Sequence, residues 1–287
     1  MRTDTVRLLI SCPDTRGIVA AVSNFISLHN GNIVELDQHT DSDAARFFMR
    51  VEIETKGFGL SRETFAPAWR PIADRYQMTW NTHWAADVKR MVILASKESH
   101  CLHDLLWRVT ADELPVHVPM VISNHDVLRP MVEALGIPFH VLPVDESRGG
   151  KAAQERELQK LIAGANADFV VLARYMQILS PEFVERWPSR IINIHHSFLP
   201  AFAGPRPYHQ AFERGVKIIG ATSHFVTAEL DCGPIIRQQT LEVDHRDSVQ
   251  DLIRKGRDLE RIVLAAAVRA HVEDKIIVCE HKTVVFG

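Results

Sequence analysis

IINIHHSFLPAF, residues 191–202, starts as an apolar strand with one amide set among its isoleucines and ends in two imidazoles and a hydroxyl. Four other runs share its apolar character: RMVILAS (90–96), VPMVISN (118–124), FHVLPV (139–144) and DFVVLAR (168–174). Near-continuous Val, Ile and Leu is what parallel strands need when helices cover both faces of their sheet. Helical stretches stand between them: HCLHDLLWRV (100–109), AAQERELQKLIAG (152–164) and SPEFVERW (180–187). The alternation predicts an open, mostly parallel α/β sheet with right-handed crossovers. Ligands of such sheets lie beyond the carboxyl ends of the strands, so the polar tail of residues 191–202 falls where chemistry is expected. After it, IIGATSHFV (218–226) and PIIRQQTLEV (234–243) read as a long hairpin, and residues 247–274 as an amphipathic helix opened by Asp247 or Ser248.

Before Lys89 the pattern differs. VRLLISC (6–12) is strand-like, and GIVAAVSNFISLHNGN (17–32) puts Ile18, Val22, Phe25 and Ile26 at helical spacing, with Asp14 as expected cap and Gly31 as stop. NIVELDQHT (32–40) and ARFFMRVEIE (45–54) are strands joined through Asp41-Ser42-Asp43; a helix around Thr64–Tyr76 and then QMTWNTHW (77–84) follow. The order β-α-β-β-α-β suggests a ferredoxin-like unit. Two domains are expected, 1–85 and 88–287.

Composition narrows the classes of function. The 287 residues are 46% apolar, enough for a sizeable core in either domain. Lys and Arg number 33 against 36 Asp and Glu, a formal net charge of −3, which offers no field to a nucleic-acid backbone or an anionic membrane. No apolar run approaches the ~20 residues that span a bilayer. Cys12, Cys101, Cys232 and Cys279 show no CxxC spacing, so neither a disulfide framework nor a thiolate zinc site is signalled and a reducing cytoplasm fits.

Side chains alternate along a strand, so Asn193 and His195 project to one side, ~6.6 Å apart along the chain. His196 is expected to face away. TSHFVTAELDCGP (222–234) adds His224 on the hairpin strand and Asp231 on its loop, where Gly233 permits a sharp turn. A carboxylate beside two imidazoles is a general acid/base set, although any single Asn or His often does no more than satisfy a buried backbone group. Metal ligation by His195, His224 and Asp231 is the weaker reading, because an amide at a strand end suits carbonyl polarisation better than coordination. Ser99-His100-Cys101 reads as a helix start beside the site rather than a thiol nucleophile.

NIHHSFLPAF followed by GATSHFVTAELDCGPII resembles the formyltransferase family that handles 10-formyltetrahydrofolate, over residues ~88–287, with Asn193, His195 and Asp231 at the family's catalytic positions. The spacing is demanding: two residues from Asn193 to His195, 29 on to His224 and seven more to Asp231. Residues 1–85 resemble an ACT domain, with DTRG (14–17) at its strand-to-helix ligand loop and NGNI (30–33) opening the second strand. The resemblance implies a Rossmann-like catalytic domain behind a regulatory and oligomerising one, the arrangement of the family's hydrolytic branch. HHSFLPAF (195–202) and RPYHQAFERG (206–215) are similar to that branch.

The implied activity is hydrolysis of 10-formyltetrahydrofolate to formate and tetrahydrofolate, with formate supplied for purine synthesis and the one-carbon pool kept in balance. No tightly bound cofactor or metal is implied. Transferases acting on glycinamide ribonucleotide share a glycine-rich phosphate loop after the first strand, whereas ASKESHCLHDLL (95–106) has no glycine. Met176, Gln177 and Leu179 would line the folate pocket, with Thr227, Glu229 and Leu230 closing over it; His224 and Gly233 would stand behind. The carboxylate is expected to keep the His195 imidazole protonated. Asp14, Gly17 and Asn32 would meet a small amino-acid effector, and a homo-oligomer is implied. The alternatives are a formyltransferase to an unidentified amine and a catalytically silent folate or amino-acid sensor.

Overall fold

The computed structural model describes residues 4–201 and 207–287, so residues 202–206 of the family-like stretch lie outside the described residues. The chain forms two compact units: Met1–Val88 with Glu273–Cys279 and Val284–Gly287, and Lys89–Val272 with Glu280–Thr283.

In the first unit β1 (Thr5–Pro13), α1 (Ile18–Leu28), β2 (Asn32–Asp41), β3 (Arg46–Glu54), α2 (Arg62–Arg75) and β4 (Thr79–Trp84) follow the expected order. The strands make an antiparallel sheet, β2-β3-β1-β4. Alternation sends Val6, Leu8, Ile10 and Cys12 of β1 and Phe47, Met49, Val51 and Ile53 of β3 into one core with Ile18, Val22, Phe25 and Ile26 of α1 and Phe65, Trp69 and Ala73 of α2. Thr5, Arg7, Arg50 and Glu52 sit at the intervening positions. Asp14 does not cap α1. The helix starts from Gly17 at φ 93° with no side-chain cap, and the Asp14 N–H donates to the Ala45 carbonyl at 2.9 Å. Left-handed Asn30, at φ 56°, ends the helix one residue before Gly31.

The second unit begins with β5 (Met91–Ala95), α3 (His100–Thr110), β6 (Val121–Ser123), α4 (Arg129–Glu133), β7 (Phe139–Val141), α5 (Gly150–Gly164) and β8 (Phe169–Ala173). It continues with α6 (Pro181–Val184), β9 (Ile191–His195), α7 (Pro207–Glu213), β10 (Ile218–Phe225), β11 (Ile235–Glu242) and α8 (Val249–Val272). Its seven-stranded sheet has the order β11-β10-β9-β8-β5-β6-β7, parallel from β9 to β7, with β10 and β11 antiparallel. The chain runs outward from β5 to β7 and then returns to β8 on the other side of β5. That reversal opens a crevice at the carboxyl ends of β5 and β8. Strands β6 and β7 are shorter than their apolar runs, with Pro119, Pro138 and Pro143 near their ends, where a missing N–H cannot extend a ladder. Ser248 caps α8: its Oγ accepts from the Asp251 N–H at 3.2 Å while Asp251 accepts from the Ser248 N–H at 3.0 Å. Asp247 instead accepts from Lys255.

Beyond α8 the chain returns to the first unit, a step that two continuous domains did not anticipate. Arg7 donates to the Asp274 carboxylate at 3.0 Å, and Arg50 to the carbonyls of Asp274 and Glu273 at 3.1 and 3.3 Å. Two short strands, β12 (Ile276–Cys279) and β13 (Lys282–Val285), follow.

Candidate active site

Strands β9 and β10 pair so that Asn193 stands opposite His224 and His195 opposite Thr222. The Nδ1–H of His224 donates to the Phe225 carbonyl at 2.8 Å, a tautomer assigned from the bonding, which leaves Nε2 to accept from the Asn193 amide at 3.2 Å. Only one of the two amide N–H bonds of Asn193 is used there.

The loop between β10 and β11 carries Asp231 in the left-handed region, at φ 57°. Gly233 serves by close approach: a Cβ there would lie 1.8 Å from the Phe225 carbonyl oxygen, so only glycine lets the neck of the hairpin close. The result places Asp231 Oδ2 3.4 Å from His195 Nδ1 and Oδ1 3.7 Å from His224 Nε2. Three residues far apart in sequence thus meet.

The His224 imidazole, then that of His195, holds the Asp231 carboxyl below the usual carboxylate range, so it is charged at neutral pH. His195 departs from expectation. Burial pulls its pKa down and outweighs the attraction of Asp231, so the imidazole is neutral in the free site. Its Nε2 is buried without a hydrogen-bond partner among the described residues.

These groups open on a cavity of about 740 Å³ at the crevice. Met176, Gln177, Leu179, Thr227 and Leu230 all line it. Glu229 does not; it is exposed, and its carbonyl accepts from the Thr227 hydroxyl at 3.0 Å, so its backbone shapes the loop. His224 is 2% exposed and braces Asn193, with its Nε2 3.7 Å from the Asp231 carboxylate. His196 lines the cavity instead of facing away, because it lies one residue past the end of β9, where alternation lapses. In the first unit Asp14, Gly17 and Asn32 are exposed, and the Asn32 amide donates to Glu54 at 3.2 Å.

A second polar group in the cavity wall was not read from the sequence. Glu260 of α8, 1% exposed, accepts from His100 Nε2 and from the Tyr208 hydroxyl, each at 2.7 Å, with Arg174 Nε at 3.4 Å. Burial pushes the Glu260 carboxyl up, and the His100 bond and the Arg174 charge more than reverse it. The available signal was an acid on an apolar face, between Leu259 and Val263. His100, Cys101 and Glu260 bring metal-ligand atoms within 4.8 Å of one another. As a metal site the set is poor, since Glu260 already faces Arg174 and burial raises the Cys101 thiol well above its ordinary pKa.

A ferredoxin-like unit followed by a doubly wound sheet with an amide, imidazoles and a carboxylate at its switch point defines a two-part protein: an ACT domain joined to a formyl transferase domain. Family models agree, the ACT domain over residues 6–63 and the formyl transferase over 89–268. A formyltetrahydrofolate deformylase of Synechocystis sp. is 50% identical over the full length of both chains. The crystal structure of one from Pseudomonas syringae pv. tomato matches at 50% identity and TM-score 0.96, covering 99% of this chain and 94% of that one. A glycinamide ribonucleotide transformylase from Symbiobacterium toebii matches at 30% identity and TM-score 0.66, over 70% of this chain and 95% of its own. The chain belongs to the formyltetrahydrofolate deformylase family.

Proposed function

We propose that this chain hydrolyses 10-formyltetrahydrofolate to formate and tetrahydrofolate, with Asn193, His195 and Asp231 as catalytic residues. The observation that carries the reading is the approach of the Asp231 carboxylate to within 3.4 Å of His195 at the wall of the cavity. Full-length likeness to proteins named deformylases supports it.

Water adds through its oxygen to the formyl carbon and gives up a proton to Asp231, which is charged and so able to accept it. The carbonyl oxygen becomes an oxyanion. The unused N–H of Asn193 is a donor for it, and removing one such donor typically costs about 3–4 kcal/mol of barrier lowering. His195 donates through Nε2 in the tautomer whose Nδ1 accepts a hydrogen bond from the proton that Asp231 takes from water. Collapse of the intermediate breaks the carbon–nitrogen bond, and the proton passes from Asp231 to the departing folate nitrogen. Met176 and Ile178, both exposed apolar side chains in the cavity wall, offer surface to the folate ring.

The reading extends to regulation and place. Asp14, Gly17 and Asn32 receive a small amino-acid effector, the first unit pairs copies of the chain through a sheet edge, the enzyme works in the cytoplasm without a tightly bound cofactor, and its formate feeds purine synthesis. Purified protein incubated with 10-formyltetrahydrofolate alone should release formate and tetrahydrofolate one for one. No formate in the absence of any amine would overturn the proposal.

A further inference from the structure

The Glu260 group stands beside the helix start where an open α/β sheet ordinarily binds an anion. The helix start after the strand at the switch point is a ready anion site, since its free N–H groups and its dipole face the crevice. In this chain that helix is α3, and its first residue, His100, is bonded at 2.7 Å to the chain's own buried carboxylate. Tyr208 completes the closure. Its ring lies against bare backbone at Gly256, where a Cβ would stand 2.1 Å from the phenol oxygen, while its hydroxyl donates to Glu260 one turn along α8. At the rim Glu98, before α3, pairs with Arg257 of α8 at 2.8 Å. Two links thus tie the start of α3 and the loop before it to α8.

The wall lies close to the reacting groups: the rings of Tyr208 and His196 are 5.9 Å apart, and those of His196 and His195 5.2 Å. We infer that Tyr208, Glu260 and His100 form a specificity wall that closes the cavity to an amine acceptor and so reserves the formyl carbon for water. The inference rests on the hydrolysis proposed above. Its physical basis is rigidity: displacing any member would leave a buried charge or hydroxyl unpaired, so an incoming amine cannot push the wall aside cheaply. A protein of the same fold named for formyl transfer to glycinamide ribonucleotide has to admit such an amine.

The test is the partition of products. Full-length enzyme is given 10-formyltetrahydrofolate with excess glycinamide, and formate and formylglycinamide are both measured. Transfer balances as hydrolysis does: the formyl carbon exchanges its folate nitrogen for the amine nitrogen, and an amine proton goes to the folate. The wild type should give formate only. In Tyr208→Ala, with the ring removed from its slot, formylglycinamide should appear at about 10- to 200-fold above the detection limit that bounds the wild type, the range a pocket's steric discrimination spans. Arg257→Ala, at an exposed rim position, should shift the share in the same direction by less, and it decides alone if Tyr208→Ala does not fold. The ratio does not depend on how much enzyme is active, so mere destabilisation leaves it unmoved. Folded variants that keep the wild-type ratio, or a wild type that itself formylates glycinamide, would overturn the wall while hydrolysis stands. A wild type that releases no formate at all removes both.

Discussion

Two buried charge clusters in this chain are built to opposite ends. In the first unit Arg50 donates to Glu52 at 2.7 Å and to the Asp274 carbonyl at 3.1 Å, Arg7 to Asp274 at 3.0 Å, and Thr5 to Glu52 at 2.6 Å. In the second unit Asp231 stands 3.4 Å from His195 and 3.7 Å from His224, one imidazole nitrogen has no partner among the described residues, and the carboxylate rides on a left-handed residue. Both clusters are largely buried, and Arg7 Nε of the first and His195 Nε2 of the second each lack a hydrogen-bond partner among the described residues, but the second opens on the cavity. The tight cluster holds a chain segment in place, whereas the loose one keeps donors and an acceptor for a substrate that is still to come.

The contrast predicts different losses on substitution. Asp231→Asn keeps the shape and removes the base: turnover should fall about 10²- to 10⁴-fold, with the KM for 10-formyltetrahydrofolate within a few fold of wild type. Steady-state kinetics on a variant with unchanged thermal stability would check it, and near-normal turnover would show the loose cluster to be structural after all. Arg50→Met does the converse. Burial pushes the Glu52 carboxyl up, and the bonds from Thr5 and Arg50 with the charge of Arg7 hold it down, so removing Arg50 leaves that buried carboxylate with Thr5 and Arg7 alone. Breaking such a cluster costs about 3–5 kcal/mol. Denaturant unfolding should show that loss while turnover per folded enzyme is unchanged.

Gly233→Ala probes what positions the loose cluster. The added methyl would meet the Phe225 carbonyl at 1.8 Å, too close for any side chain, so the neck of the hairpin must open and carry Asp231 away from His195. A misplacement of about 1 Å can cost ~100-fold in rate. The expected signature is a fall in kcat that exceeds any loss in melting temperature. Equal activity would mean that Asp231 is held by something other than the neck.

The two units also differ in how openly the sequence announced them. Periodicity exposed both sheets, because the alternating strands of the first unit and the continuous apolar strands of the second are local patterns. Asn193, His195 and Asp231 were legible from a strand end, a fixed spacing and a glycine-marked loop. Glu260 was not, since its partners His100, Arg174 and Tyr208 come from three other elements and α8 reads as an ordinary amphipathic helix around it. Asp274 was hidden for the same reason: it follows the last turn of α8, and only the fold brings it to Arg7. The charge state of His195 escaped because a neighbouring carboxylate can be guessed from sequence, whereas the burial that outweighs it belongs to the folded chain.

Burial of uncharged imidazoles in and beside the loose cluster carries a smaller effect, on stability against pH. Burial, followed by the charge of Arg174, lowers the His196 pKa from 6.5 to about 3, and burial lowers that of His195 in the same direction. Between pH 6.5 and about 3 the unfolded chain binds a proton at residue 196 that the folded chain refuses, so stability is complete above 6.5 and falls as pH drops through that window. One such proton gives a slope of up to about 1.4 kcal/mol per pH unit. The lowered pKa of Asp231 has the same sign but acts later: its contribution holds above 3.8 and is lost only as pH falls through the folded value. His196→Asn should therefore flatten the decline of melting temperature between pH 6.5 and 5 and leave the region below pH 4 steep. Calorimetric melting curves at half-unit steps resolve the two windows. Identical wild-type and variant slopes from 6.5 to 5 would mean that residue 196 takes its proton as readily folded as unfolded, and that the second cluster is wetter than its geometry implies.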